Sequence, residues 1–526
     1  MKPSDGVWIT TVPADEVRAR AAAAPAGLPL AGLTFAVKDN IDVAGMPTTA
    51  ACPDFAYVPA RTAPVVQRLL DAGAVLAGKT NLDQFATGLT GARSPYGAPA
   101  SVFGGGLISG GSSSGSAVAV AAGLVDFALG TDTAGSGRVP AAFNGIVGVK
   151  PTRGLLSTLG VVPACRSLDC VSVFAPDVAR ATAVARVARG PEAEDPWSRT
   201  GDLGIKAAPR IGTARALDFF GDAGQEKAFA AGLGRFGEVT AVDIEPLLEA
   251  GDLLYRGPWV AERLADLGDF LRSHPDSVLP ITRRIIEGGR RFTAAETFKA
   301  QHRLQELKAW TARLFQDIDV LVLPTVGTTY THDEIAADPV GRNLHLGRYT
   351  QFTNLLDLAA VTVPNGFTAD GRPASLTLFG PAFSDETLAL LAGSLPAADL
   401  MTIAVVGLHL SGEPRNGELT ERRATLIGAA QTAPDYRLYR LPSGAPGLVR
   451  SPGGAAIEVE LWQLPAAAVG GLLAGIPAPL SLGRLALADG SEVTGFLCEA
   501  YAARTAEDIT ASGGWRAYRS SPEGQI

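Results

Sequence analysis

An α/β protein is expected from this sequence: a mixed, mainly parallel twisted sheet flanked by helices, followed by a small α+β or β-barrel domain. Three features predict it. A strand–helix–strand rhythm opens the chain, as parallel sheets covered by helices require. Its 526 residues, 47% hydrophobic and 19% charged, exceed one core and describe large buried interiors. Near residue 400 the composition changes, and alternating strands follow a small-residue stretch.

The elements run in order as follows. Residues 33–37 (LTFAV) form an apolar run of strand length that ends in Lys38, Asp39 and Asn40. Residues 63–72 space apolar side chains as a helix does and stop at Gly73, after which 74–77 return to strand. Residues 81–97 lead to a first glycine turn, 110–116 (GGSSSGS). The small apolar segment 117–129 reads as a buried helix or a helix–strand pair. A second turn, 130–138 (GTDTAGSGR), precedes a third apolar run. Residues 203–320 read as mostly helical, with an amphipathic stretch at 294–315. Strands are expected at 319–323, 359–363 and 374–379. A linker is expected at 392–399, a strand from Met401, and a half-buried strand at 456–461 (AIEVEL). Domains are therefore placed at 1–398 and 399–526, with no internal repeat.

Composition narrows the function. A net charge of −8 argues against a nucleic-acid or anionic-membrane surface. Cys52, Cys165, Cys170 and Cys498 lack CxxC spacing, so neither disulfides nor zinc are expected. The five histidines, at 274, 302, 332, 345 and 409, form no HxxxH pair, and no metal or other cofactor is expected. The N-terminus has no charged-then-apolar leader layout, and the apolar run near Ala117 is broken by Asp126. A cytoplasmic protein is expected.

Chemistry concentrates in the two glycine turns. Gly/Ser tracts are often linkers, but these two are short and lie between segments too apolar to remain in solvent. The second presents Ser136 with the amides of Thr133, Ala134, Gly135 and Ser136, the donor set that an oxyanion needs beside a nucleophile. A serine also needs a base, and no histidine is near in sequence. A lysine can serve if burial lowers its pKa from about 10.4 toward neutrality. Lys38 is the candidate; its alternative is an ion pair with Asp39 at the strand end. Arg138 reads as a structural anchor of the turn through Asp132 or another carboxylate. Cys165 and Cys170 read as packing residues.

Lys38, GGSSSGS at 110–116, DTAGSGR at 132–138 and GIVGVKPTRG at 145–154 together resemble the amidase signature family over roughly residues 25–395. The two serines and the lysine match in type and in spacing, 74 and 24 residues apart. The resemblance implies an amidase-signature fold and a triad of Ser136 as nucleophile, Ser112 as bridging serine after a cis peptide, and Lys38 as base. It implies an oxyanion hole of the amides of Thr133, Ala134, Gly135 and Ser136. Residues 81–88, 165–170 and 254–263, with the C-terminal extension, resemble the allophanate-hydrolysing members of that family. From them Tyr255 and Arg263, read as two turns apart on one helix, are implied to bind the substrate carboxylate, and Gly88 to contact it through its backbone. The alternative for Tyr255 and Arg263 is a packing pair on a helix surface. The C-terminal domain resembles the γ-glutamylcyclotransferase type. There His409, on the strand from Met401, is either a satisfied core histidine or a catalytic one, with Asn416, Tyr439, Glu458 and Glu460 as lesser candidates.

What the resemblance implies is cofactor-free hydrolysis of allophanate to ammonia and carbon dioxide. This would be the second step of urea breakdown, linked to a biotin-dependent urea carboxylase, in a homodimer. A broad amidase or an amidotransferase A-type subunit is the nearer rival; the tRNA-acting version calls for a basic face, which the net charge disfavours. A non-catalytic scaffold is the other rival, and intact Lys38, Ser112 and Ser136 count against it.

Overall fold

Strands buried on both faces tend to read as near-continuous apolar runs. The inner strands of the first unit are buried in this way, whereas the edge strands Trp8–Thr11 and Val239–Val242 keep exposed residues. All residues of Phe127–Asp132, Cys170–Ala175 and Val320–Pro324 are buried, and so is Thr34–Lys38 after its first residue. The computed structural model describes residues 6–395, 400–422 and 424–521. It divides into two units, Met1–Pro396 and Ala397–Ile526.

The first unit holds an eleven-stranded sheet: β1 Trp8–Thr11, β2 Thr34–Lys38, β3 Val75–Thr80, β4 Phe127–Asp132, β5 Val147–Lys150, β6 Cys170–Ala175, β7 Ile211–Ala214, β8 Val239–Val242, β9 Val320–Pro324, β10 Leu358–Phe367 and β11 Pro373–Pro381. Their order is β1-β3-β2-β4-β6-β5-β10-β11-β9-β7-β8. The sheet is mixed, as expected, but its antiparallel pairings outnumber the parallel ones, six to four. Parallel neighbours need a crossover, and crossovers serve the two flanks, β3-β2-β4 and β9-β7-β8. The central strands pair antiparallel, β10 and β11 as a hairpin. The rhythm at the start of the chain is therefore local to its flank.

Helix Pro64–Asp71 starts with its proline in the first turn and buries Val65, Val66 and Leu69 against the sheet. Ala294–Asp317 carries a capping box, Thr293 with Glu296. Helix Ser114–Ala121 (SGSAVAVA) is buried along seven of its eight residues, which its small side chains permit. Two short strands, β7 and β8, interrupt the region read as mostly helical; four residues each are too few to show a period of two. Tyr255 and Arg263 are not on one helix. Glu245–Tyr255 ends at the tyrosine, Gly257 and Pro258 break the chain, and Trp259–Ser273 carries the arginine.

The second unit contains β12 Leu400–Val405, β13 Thr425–Gln431, β14 Tyr436–Arg440, β15 Pro446–Arg450, β16 Glu458–Pro465, β17 Leu480–Ala486, β18 Glu492–Cys498 and β19 Glu507–Asp508. They form a five-stranded sheet, β13-β16-β12-β18-β17, and a three-stranded one, β15-β14-β19. Ile403, Val405, Tyr436, Leu438, Trp462, Phe496 and Trp515 belong to its core. β12 ends at Val405, so His409 lies in the turn beyond the strand. Of the expected linker, 392–394 belong to helix Asp385–Ser394, and 396–399 lie outside the described residues. Among the described residues no helix is long and apolar enough to cross a membrane.

Candidate active site

β2 and β4 run parallel with Val37 opposite Leu129, so Lys38 and Thr131 leave the sheet together at the carboxyl ends of neighbouring strands. Lys38 Nζ lies 2.8 Å from Ser112 Oγ and 2.7 Å from Thr131 Oγ1, and Ser112 Oγ lies 2.9 Å from Ser136 Oγ. All four residues are buried. Ser112 follows a cis peptide bond with Gly111 and stands just before helix Ser114–Ala121. Burial lowers the Lys38 pKa to about 7 against the charges of Asp83, Asp169 and Asp132, while that of Arg263 lowers it further.

The turn after β4 is held from within and from behind. Asp132 accepts two bonds from Arg138 (2.9 Å each) and the amides of Gly135 and Gly137 (3.0 Å each). Burial works against its charge, but Arg138, Lys150 and the Gly137 amide outweigh it and keep the carboxyl below its usual range. Behind the turn, Thr350 donates to the Ala134 carbonyl (2.8 Å) and Asn354 to that of Asp132 (2.7 Å). Gly135 has φ +135°, and a Cβ there would come 2.3 Å from Thr350 Oγ1. Because Asp132 takes the Gly135 amide, the expected four donors reduce to three. The amides of Thr133, Ala134 and Ser136 donate to no acceptor among the described residues.

Arg263 is buried, donates to Thr87 Oγ1 (2.8 Å) and has no ion pair among the described residues. Thr87 adjoins Gly88, whose backbone φ is +153°; a Cβ at Gly88 would meet Asp83 Oδ2 at 2.8 Å. Asp83 shapes this loop by accepting the amides of Thr90, Gly91 and Arg93. Tyr255 is half-buried, and burial raises its phenol pKa against the charges of Arg263 and Arg93, so the proton stays on. Burial likewise raises the thiols of Cys165 and Cys170.

Sequence reasoning missed Thr131, Thr87, Asp169 and Glu262. Asp169 is buried and accepts from Thr133 Oγ1 (2.5 Å) and the amide of Ala164 (2.8 Å), with its pKa raised to about 6 by burial. Glu262 accepts Ser167 N (2.7 Å), Ser167 Oγ (2.7 Å) and Cys165 Sγ (3.0 Å). Thr131 lies within the second glycine turn as read from the sequence, so its hydroxyl was legible there. The carboxylates carry no sequence signal, since the contacts that tie them to the rest of the site, Asp169 to Thr133 and Glu262 to Ser167, span 36 and 95 residues. No three His, Cys, Asp or Glu side chains gather as metal ligands among the described residues.

In the second unit, His409 is buried with Nε2 3.2 Å from Glu418 Oε2, and its ring stacks on Phe496 (4.8 Å). It lines a cavity of about 30 Å³ with Arg415 and Pro446. Burial lowers its pKa against the pull of Glu418. Asn416 donates to the His409 carbonyl (2.8 Å). Glu460 accepts Ser411 N (2.7 Å), Trp462 Nε1 (3.1 Å) and Arg516 (2.7 Å), Glu458 approaches Arg516 at 3.4 Å, and Tyr439 of β14 lies opposite Gly447 of β15 and Asp508 of β19.

Comparison with known proteins matches residues 5–389 to the amidase family and residues 401–520 to the allophanate hydrolase C-terminal domain. Urea amidolyase of Saccharomyces cerevisiae is 40% identical, over 93% of this chain and 30% of its own. The chain thus spans about a third of the curated urea amidolyases it matches. The A-type subunit of glutamyl-tRNA(Gln) amidotransferase from Natronomonas pharaonis is 36% identical, over 70% of this chain and 95% of its own. The structure of Kluyveromyces lactis allophanate hydrolase matches with a TM-score of 0.71 and 39% identity, covering 98% of this chain and 93% of that one.

Proposed function

The chain belongs to the amidase family and carries an allophanate hydrolase C-terminal domain, and from that premise we propose that it hydrolyses allophanate. The observation that carries the reading is the hydrogen-bond chain Lys38–Ser112–Ser136, with a lysine brought near neutrality. Lys38 as the free amine takes the Ser112 proton while Ser112 takes that of Ser136, and Ser136 Oγ attacks the carbamoyl carbon. The amides of Thr133, Ala134 and Ser136 receive the oxyanion. Collapse returns the proton through Ser112 to the leaving nitrogen, ammonia departs, and water activated by the same relay hydrolyses the acyl-enzyme. The product bears two carboxylates on one nitrogen and loses carbon dioxide.

Arg263 narrows the substrate. A buried guanidinium without a carboxylate is costly unless a ligand supplies one, and allophanate ends in a carboxylate. Tyr255 adds a phenol donor and Gly88 a backbone contact. Removing a charged partner from a desolvated carboxylate costs roughly 2–5 kcal/mol. Arg263→Ala is therefore expected to lose most activity on allophanate and far less on neutral biuret. Equal losses on both would make Arg263 a support of the fold.

The same reading places the chain after a biotin-dependent urea carboxylase, in the cytoplasm, as a homodimer, with domains at 1–398 and 399–526. Sedimentation and co-purification with a carboxylase check the assembly. In the C-terminal domain, of γ-glutamylcyclotransferase type, His409 is the residue to assist decarboxylation: as the C–N bond breaks and carbon dioxide leaves, the nitrogen takes a proton from the imidazole, which draws its replacement from water. The amidotransferase relatives match 68–74% of the chain against 93% for the urea amidolyase, which favours the allophanate reading over that rival.

A further inference from the structure

Asp169 belongs to no step described above, yet it is a buried carboxylate set between the two halves of the site. One oxygen accepts Thr133 Oγ1 (2.5 Å), and the other accepts the amides of Ala164 (2.8 Å) and Cys165 (3.1 Å). Thr133 is the first residue after β4 and opens the turn that ends in Ser136. Its amide is one of the three free donors. The loop that carries Asp169 is fastened in turn to helix Trp259–Ser273, where Glu262 takes Ser167 N, Ser167 Oγ and Cys165 Sγ beside Arg263. Asn354 adds a second tie, bonding the carbonyls of both Asp132 and Leu168.

A side-chain hydroxyl donating to a carboxylate fixes the rotamer and hence the peptide plane beside it. Donors to a developing oxyanion must be placed before reaction, since they gain nothing by reorienting during it. We propose that Asp169 is a positioning residue for the nucleophile turn: through Thr133 Oγ1 it holds the amide donors at the place where negative charge develops on the substrate carbonyl. The 164–169 loop mounts those donors on the same support as Arg263. The bond is absent from substrate binding itself, so its loss falls on kcat and not on KM.

The inference rests on the amide-hydrolysing reading of Ser136. Thr133→Val keeps the shape and removes the hydroxyl, and Thr133→Ser restores it. Thr133→Val is expected to lower kcat about ten- to hundredfold with KM changed less than about twofold, because a small misplacement of reacting groups acts on the transition state. Thr133→Ser is expected to recover kcat to within about threefold of the parent. Adding Asp169→Asn to Thr133→Val should cost clearly less than the sum of the two single losses, since the Thr133 Oγ1 contact is cut by both, although Asp169→Asn alone also touches the amides of Ala164 and Cys165. The rate at which phenylmethylsulfonyl fluoride labels Ser136 should follow the same order, whichever amide is the natural substrate. A parent protein that cleaves other small amides but not allophanate overturns the substrate and leaves these variants readable on those amides. Full kcat in Thr133→Val, no recovery in Thr133→Ser, or additive losses in the double variant overturn the positioning role.

Discussion

Removing Lys38 from water disfavours its ammonium form, while Asp83, Asp169 and Asp132 favour it. Burial prevails and leaves the pKa at about 7. On the proposed relay the reactive form is the free amine, so kcat/KM should rise with pH through about 7 and level off above it. Lys38→Met should abolish the limb together with the activity. A profile flat between about pH 6 and 9 would show that another group takes the proton. Ser136 stands at the other end of the same chain of bonds. Ser136→Ala should remain folded and lose about 10⁴-fold or more in kcat, because removing a nucleophile leaves only binding and the oxyanion donors. Near-parent turnover in that variant would remove Ser136 from the chemistry.

The turn between β4 and the helix Val139–Asn144 is held by a buried ion pair, Asp132 with Arg138, and both side chains are closed to solvent. Deleting one partner leaves the other charged and unpaired, which costs about 3–5 kcal/mol. Arg138→Met should lower unfolding stability by that amount, read in urea titrations of the first unit's transition. A loss under about 1 kcal/mol would mean that Asp132 protonates without consequence and that the glycine amides hold the turn alone. The separation of Tyr255 from Arg263 by Gly257 and Pro258 works at the same scale. A break between two helices lets two side chains be set independently, which one rigid helix does not.

The core of the second unit is built from residues 403–518, and Lys38, Ser112, Ser136, Tyr255 and Arg263 all precede it. A chain ending at residue 395 is therefore expected to fold and to release ammonia from allophanate. Following decay of the carboxylated product in the full chain, the shortened chain and His409→Ala tests the second unit. Slower decay in the latter two supports a role for His409, and equal decay in all three confines the unit to structure. A shortened chain that folds but releases no ammonia would overturn the division between the units.

By itself the sequence determined the properties that neighbours along the chain decide. Apolar runs located β2 and β9, and the second glycine turn pointed to Ser136, while Ser112 came from the family resemblance. β4 was not separated from the apolar segment before it and runs three residues into the stretch read as a turn. Tertiary structure decided what distant residues decide together. The short β7 and β8 are legible only as paired strands, and the antiparallel centre of the sheet follows from strand order, which no local period encodes. Burial of Lys38 is a sum over β2, β4 and the loops above them, so its lowered pKa has no signature at residue 38. Asp169 reaches Thr133 across 36 residues, and Glu262 reaches Ser167 across 95. Hydrophobic periodicity is local, whereas desolvation and hydrogen-bond partnership arise only once the chain has closed on itself.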